Sequence, residues 1–406
     1  MLQRKFLKFM LLISTYTNIA CGNISNKTDP NTEGGQLVFA HILFRHGDRT
    51  PVELYPNDPW KGKENWPEGL GQLTNVGKNQ HFELGQYFRR RYQKLLGNNR
   101  YSTDNIYIQS TDVDRTLMSA ESNMAGLFPP KDDQIWNKNL MWQAIPIHTI
   151  PEYMDYILAA KRSCAQYEHA LKRYQQSPEF KVLLDKFRPL MFYLEQSTGK
   201  AIRTLTDVGN LYNTLWIENL KNKTLPEWTK KVFFSGSDME WIANFTFQMP
   251  TNTPELARLK SGFLLKDILN RFSKKMRSEL TPDRSLWIYS AHDITISSIL
   301  NSLGLFQYPH NPPYASSVLF EMYHKNGTYY IKIVYRNTTD EYPQSLFIPN
   351  CGYGCLLQKF SSLYKAIIPT KDFETECRLS FLLCCIIMLY FCKYSSHLHC
   401  LEILAA

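Results

Sequence analysis

The sequence predicts an α/β fold: a mostly parallel central sheet with helices on both faces, plus an inserted, mainly helical cap. Three observations carry this. Apolar runs of strand length at residues 37–44, 105–109 and 286–289 each end in a polar turn, with a helical pattern after it. Residues 318–323 and 329–335 alternate in polarity around Lys325-Asn326-Gly327-Thr328, so a hairpin adds antiparallel strands at one side. Between about residues 141 and 254 the chain turns Lys-, Tyr- and Leu-rich, with helical runs at 166–174 and 179–194. The expected division is therefore residues 36–140 for the first part of the core, 141–254 for the cap and 255–377 for the second part of the core.

Each element has its own reason. Residues 37–44 are β-branched and aromatic, which suits a strand buried on both faces. Residues 56–71 are rich in Pro, Gly and Trp, a loop long enough to wall a site. Thr74 can cap a helix running to about residue 96, with Phe82, Leu84, Tyr87, Phe88, Tyr92 and Leu95 at helical spacing and Gly97 as its stop. Residues 105–109 read as a second strand. Residues 112–127 then turn helical, with Arg115 in the first turn and Pro129-Pro130 as the end. The third unit runs from strand 286–289 through Ser290-Ala291-His292-Asp293 into a helix over 294–303. Ligands of such sheets bind beyond the carboxyl ends of the strands. The polar clusters of this chain stand at those ends.

Composition sets the remaining bounds. A chain of 406 residues, 44% hydrophobic and 20% charged, can build a large globular core unaided. Residues 1–22 carry Arg4, Lys5 and Lys8, a short apolar run and small residues near Ala20, the pattern of a signal peptide. Residues 23–35 are a polar linker. Losing the leader takes three positive charges from the formal +9 and leaves +6. That balance is mild and says little about nucleic acid, which is not expected as a partner, and small acidic substrates fit it as well. Sequons at Asn23, Asn26, Asn222, Asn244, Asn326 and Asn337 fit a glycosylated, lumenal protein. Residues 378–406 form a hydrophobic tail whose apolar stretch, 379–392, is short for a span of about 18 residues. The tail is a candidate membrane anchor, the alternative being a secreted form. Of nine cysteines, Cys21 leaves with the leader, and Cys384, Cys385, Cys392 and Cys400 lie in the tail. Cys164, Cys351, Cys355 and Cys377 remain, an even number that suits two bridges in any of three pairings.

The chemistry gathers in Arg45-His46-Gly47-Asp48-Arg49-Thr50-Pro51. Gly47 is expected to let the backbone turn sharply beside His46, and Pro51 forbids the strand from resuming. Two guanidinium forks flanking one imidazole suit a doubly charged, three-oxygen anion. An imidazole beside a bound phosphoryl group can attack phosphorus and become a phosphohistidine. The plain alternative is a basic surface loop. Neither a metal nor a cofactor is expected, because His-x-x-x-His, paired Cys-x-x-Cys, P-loop and dinucleotide glycine patterns are all missing.

This block resembles the signature of the histidine acid phosphatases of the prostatic and lysosomal type. Further stretches resemble that branch in order: Asp58-Pro59-Trp60, Trp66-Pro67-Glu68-Gly69-Leu70-Gly71-Gln72-Leu73-Thr74, Ser110-Thr111-Asp112-Val113-Asp114-Arg115-Thr116-Leu117-Met118-Ser119, Tyr289-Ser290-Ala291-His292-Asp293 and Pro312-Pro313-Tyr314-Ala315-Ser316. The likeness covers about residues 36–377. It implies that His46 is the nucleophile, that Arg45, Arg49, Arg115 and His292 hold the phosphoryl oxygens, and that Asp293 is the general acid. The plainer readings are a helix-surface ion pair of Arg115 with Asp112 or Glu121, and a helix cap for Asp293. His41, His81 and His148 are expected to be structural. The resemblance also implies bridges Cys351–Cys355 and Cys164–Cys377. The family's third bridge falls on positions held here by Ile217 and Ser317.

Its further implications are small phosphomonoester substrates, with phosphopeptides and lysophospholipids as candidates. It also implies a homodimer with a contact in residues 142–148, and a secretory-pathway protein, extracellular or lysosomal. Two alternatives stand beside the acid phosphatase reading. A phytase or inositol polyphosphate phosphatase shares Arg-His-Gly-x-Arg-x-Pro, although the blocks around Trp66 and Asp112 favour the former. A catalytically inactive secreted effector is opposed by the complete set of six site residues.

Overall fold

The computed structural model describes residues 35–97, 100–337 and 343–379. The leader, the linker up to residue 34 with Asn23 and Asn26, and the tail beyond Leu379 lie outside the described residues. Among the described residues no helix is long and apolar enough to cross a membrane.

Strand β1 (Gln36–Arg45) leads through the 46–73 loop to helix α1 (Asn75–Arg91), and β2 (Ile106–Thr111) leads to α2 (Asp114–Leu127). After β3 (His148–Ile150) come α3 (Ala165–Gln175), α4 (Pro178–Thr198), α5 (Leu205–Leu220), α6 (Asp238–Thr246), α7 (Pro254–Lys260) and α8 (Gly262–Met276). The chain then forms β4 (Leu286–Ala291), α9 (Asp293–Ser302), β5 (Ser317–Lys325), β6 (Thr328–Arg336), β7 (Gln344–Ser345) and β8 (Cys355–Leu356).

The sheet order is β3-β2-β4-β1-β5-β6-β7, with β8 also on β6. The β3, β2, β4 and β1 strands are parallel, and β5 to β8 add antiparallel pairings beyond β1. β1 is therefore the seam of the sheet. Its alternate residues feed two cores: Phe39 and Leu43 pack with α8 and α9, while Ala40, Ile42 and Phe44 pack with α1 and α2. Helices thus cover both faces of the sheet. A third apolar cluster joins α4, α5 and α6 around Phe187, Leu194, Val208 and Leu215.

Local signals hold at most boundaries. Thr74 Oγ1 accepts the Gly77 amide at 3.2 Å, capping α1. That helix stops earlier than expected, at Arg91, and a separate turn at Gln93–Leu96 carries the pattern on to Gly97, whose φ is +63°. Asn326 and Gly327 both have positive φ, the geometry a two-residue hairpin requires. One element differs from expectation. β3 lies inside residues 141–254 yet pairs in parallel with β2, and three residues show no periodicity by which to recognise a strand. The structure bridges Cys164 to Cys377 and Cys351 to Cys355. Ile217 and Ser317 are both fully buried.

Candidate active site

β2, β4 and β1 are neighbours and parallel, so their carboxyl ends open on one side. Arg45 stands opposite Ala291, and the His46 amide donates to Ala291 O at 3.0 Å. That register brings residues 45–49, 111–116 and 292–293 together from three distant parts of the chain. Gly47 is needed here for a different reason from the one expected. Its φ is not positive, but a Cβ on it would lie 2.4 Å from the Gly77 carbonyl. The requirement is the close approach of α1, which His81 reinforces by donating from Nε2 to Arg45 O at 3.0 Å.

His46 is 1% exposed. Its Nδ1 lies 2.8 Å from Gly47 O, and a carbonyl only accepts, so Nδ1 carries the hydrogen and Nε2 presents a lone pair. Burial, and then Arg45, Arg115, Arg49 and His292, hold this imidazole well below the usual histidine range. It stays neutral in acid.

Arg45 is fully buried. Its Nη2 lies 2.8 Å from Asp293 Oδ2, its Nη1 donates to Asn311 Oδ1 at 3.2 Å and to Pro312 O, and it sits 4.3 Å over the Tyr314 ring. Arg49 donates to Thr50 O and to Asn213 Oδ1, both at 3.0 Å. Arg115 Nη1 reaches Gly71 O at 3.4 Å. Burial and Arg49, against the pull of Asp293, bring the Arg115 guanidinium down to about 10. Three guanidiniums thus face one carboxylate, a positive surplus that suits a phosphoryl anion.

His292 Nε2 lies 3.0 Å from Thr111 Oγ1, and burial and Arg115 lower its acidity range to about 3. The His292 and His46 rings are 5.7 Å apart. Asp293 is the first residue of α9, with His292 at the cap position, and its Oδ1 accepts the Ile294 amide at 2.7 Å. Burial favours the protonated carboxyl, but Arg45, Arg49 and His292 outweigh it and hold Asp293 below the usual carboxylate range. All six residues singled out from the sequence meet here.

The other histidines pack elsewhere. His41 lies in the core between Phe272 and Tyr289, and His148 stacks on Tyr107 at 4.5 Å. Among the described residues, no three His, Cys, Asp or Glu side chains gather in the manner of a metal centre.

The match of residues 36–336 to the histidine phosphatase superfamily, branch 2, agrees with this geometry. The chain belongs to that superfamily. The prostatic acid phosphatase of Rattus norvegicus is 38% identical over 357 residues, covering 87% of this chain and 92% of that protein. The lysosomal acid phosphatase of Homo sapiens is 37% identical over 356 residues, covering 86% and 82% respectively. Among solved structures, the phytase of Hafnia alvei in complex with myo-inositol hexakis sulphate superposes with a TM-score of 0.62 at 20% identity, covering 86% of this chain and 99% of that one. At that identity the likeness speaks for the fold.

Several residues of this histidine phosphatase escaped the sequence reading. Thr111, Thr116 and Tyr314 lie inside the family-like stretches, where only their neighbours have evident chemistry. Asn213 and Lys221, which hold Arg49 and the buried Asp48, come from α5 and its end, where no motif marks them.

Proposed function

We propose that this histidine phosphatase is an acid phosphatase that hydrolyses phosphate monoesters through a phosphohistidine at His46. The observation that carries the reading is a buried imidazole whose Nδ1 is turned to the Gly47 carbonyl, leaving Nε2 for the attack, with Arg45, Arg49 and Arg115 around it and Asp293 paired to Arg45. Nε2 attacks phosphorus and the ester P–O bond breaks. Asp293 passes its proton to the departing oxygen. Water then attacks the phosphohistidine, Asp293 takes a proton from it, the P–N bond breaks and inorganic phosphate leaves. The guanidiniums and His292 hold the equatorial oxygens throughout. Because Asp293 is ionised in the free protein, a proton must reach it in the complex. Phosphoryl charge competes for the same guanidiniums and raises its affinity for that proton, so acid solution favours the reaction.

The expected result is rapid hydrolysis of p-nitrophenyl phosphate at pH 5, with much slower release from phytate. Denatured wild-type protein retains an acid-labile phosphoryl label, and His46→Ala retains none. Label on Ser, or preference for phytate, would refute the respective part of the reading.

We extend the proposal to the surroundings of the enzyme. Exposed Asn222, Asn326 and Asn337 and half-buried Asn244 are the glycosylation sites among the described residues, which suits an extracellular or lysosomal enzyme made with a leader. Phosphopeptides and lysophospholipids are candidate substrates. The tail is the candidate membrane anchor. Trp136 and Met141, each 61% exposed on the segment that leads into β3, support a homodimer through that segment.

A further inference from the structure

Three hydroxyl and imidazole groups behind the site form a chain whose hydrogens are determined. Thr116 Oγ1 lies 2.7 Å from Val113 O and 3.0 Å from Thr111 O. Carbonyls only accept, so the single Thr116 hydrogen points to them. Thr116 Oγ1 must then accept, at 2.8 Å, the hydrogen of Thr111 Oγ1. With its own hydrogen committed, Thr111 Oγ1 can only accept from His292 Nε2, 3.0 Å away. Thr111 and Thr116 are both fully buried, on the last residue of β2 and the first turn of α2, so water does not compete.

We propose that Thr111, backed by Thr116, is a positioning residue for the phosphatase reaction: it fixes His292 as the Nε2–H tautomer and leaves Nδ1 to meet a phosphoryl oxygen. This rests on the phosphatase reading and adds a selection to it. A neutral Nδ1 accepts but does not donate. Burial and the nearby Arg115 and Arg45 keep the ring neutral in the free protein, against Asp293. Contact between Nδ1 and the phosphoryl group therefore needs one proton between them, which a phosphomonoester monoanion carries and the dianion lacks. The proton is shared between Nδ1 and that oxygen, and no other atom changes its bonding. A phosphomonoester gives up its second proton near pH ~6. The site thereby prefers the protonated substrate, in addition to whatever Asp293 contributes to the pH profile. The groups facing His292 are Arg115, Asp293, Arg45 and Lys161, together with the neutral His46 ring 5.7 Å away.

Nitrogen-15 NMR of the histidine-labelled wild-type protein tests the tautomer without any turnover, with His292→Gln assigning the signal. A protonated Nε2 and an unprotonated Nδ1 are expected, and the reverse overturns the proposal even in a fully active enzyme. An inactive enzyme with the expected tautomer would instead sink the phosphatase reading. Thr111→Val should lose roughly 10–100-fold in kcat/KM at pH 5, as for other outer partners of a functional imidazole. Its deficit should shrink between pH 5 and pH 7, because a freed ring can place an N–H toward the dianion. Thr111→Ser should restore most of the loss. A deficit constant with pH, or a Ser variant no better than Val, would mean that Thr111 only packs.

Discussion

Arg45, His46 and Arg49 come from five consecutive residues at the end of β1, whereas Asn213, which holds Arg49, stands 164 residues further on in α5. The first group is anchored through its backbone. β1 pairs with β4 and β5 on either side, and the amides of Arg45 and His46 are bound to Ser316 O and Ala291 O at 3.0 Å. The second group acts through side chains alone: Asn213 to Arg49, Lys221 to Asp48, and the Trp216 ring 5.4 Å from Tyr314. Rigid strand ends can hold reacting atoms to the tolerance that chemistry needs. A helix joined by side-chain contacts can adjust the seating of the loop while leaving the reaction type alone. Changes in the strand-end half should therefore alter the chemical step, and changes in α5 should alter binding and stability.

The largest separation should appear at Asp293. In the proposed mechanism Asp293→Asn removes the proton donor and keeps a similar shape, and general acid assistance is worth about 10²–10⁴-fold. Alkyl phosphates, whose alkoxide needs a proton to leave, should lose roughly that much in single-turnover phosphorylation. p-Nitrophenyl phosphate, whose leaving group departs as a stable anion, should lose far less. Equal losses on both would show Asp293 to be a binding group, with the acid elsewhere.

The same division explains what could be read in advance. A β-branched run ending in Arg-His-Gly-x-Arg announces both a buried strand and its chemistry, because strand ends are contiguous in sequence. His292 and Asp293 follow β4 in the same way, and Arg115 follows β2. The role of α5 had no such signal: Asn213 sits in an ordinary amphipathic pattern, and its importance exists only after folding. Thr111 was in view and unrecognised, since a threonine closing a strand looks like strand. β3 was missed because three residues carry no period. Gly47 is legible only as a place for a sharp turn, because the close approach of Gly77 cannot be seen locally.

A second test concerns how α5 is seated. Glu218 of α5 and Asp58 of the 46–73 loop are both buried, and Tyr55 and Lys223 face the same pair. Burial and then Asp58 push the Glu218 carboxyl up to about 9, with Lys223 opposing. Glu218 thus keeps in the folded protein a proton that the unfolded chain releases above about 4.3. Its stabilisation is complete below that value and is lost as pH rises through about 9, at up to ~1.4 kcal/mol per pH unit. Urea midpoints should fall from pH 5 to pH 8 in the wild type. Glu218→Gln, which keeps a donor but cannot titrate, should be distinctly flatter. Parallel curves for the two proteins would remove the Glu218 proton from the account.

The smallest effect is expected at Asn213, and it is the sharpest test of the division. Arg49 Nη2 donates to Asn213 Oδ1, while Nη1 is held separately by Thr50 O. Asn213→Ala removes one of two restraints on a charged donor, an interaction class worth about 1.5–3 kcal/mol when lost outright. Because Arg49 keeps its Thr50 contact and, in the proposed mechanism, its place beside the phosphoryl oxygens, the low end is expected, roughly tenfold in kcat/KM. In the proposed mechanism Arg49 meets the phosphoryl group in the ground state as well as in the transition state, so the loss should fall mainly on KM. Inorganic phosphate should inhibit the variant more weakly by a similar factor. A fall confined to kcat, with KM and phosphate inhibition unchanged, would mean that α5 aligns Arg49 for the transition state. The helical half would then share in the chemistry itself.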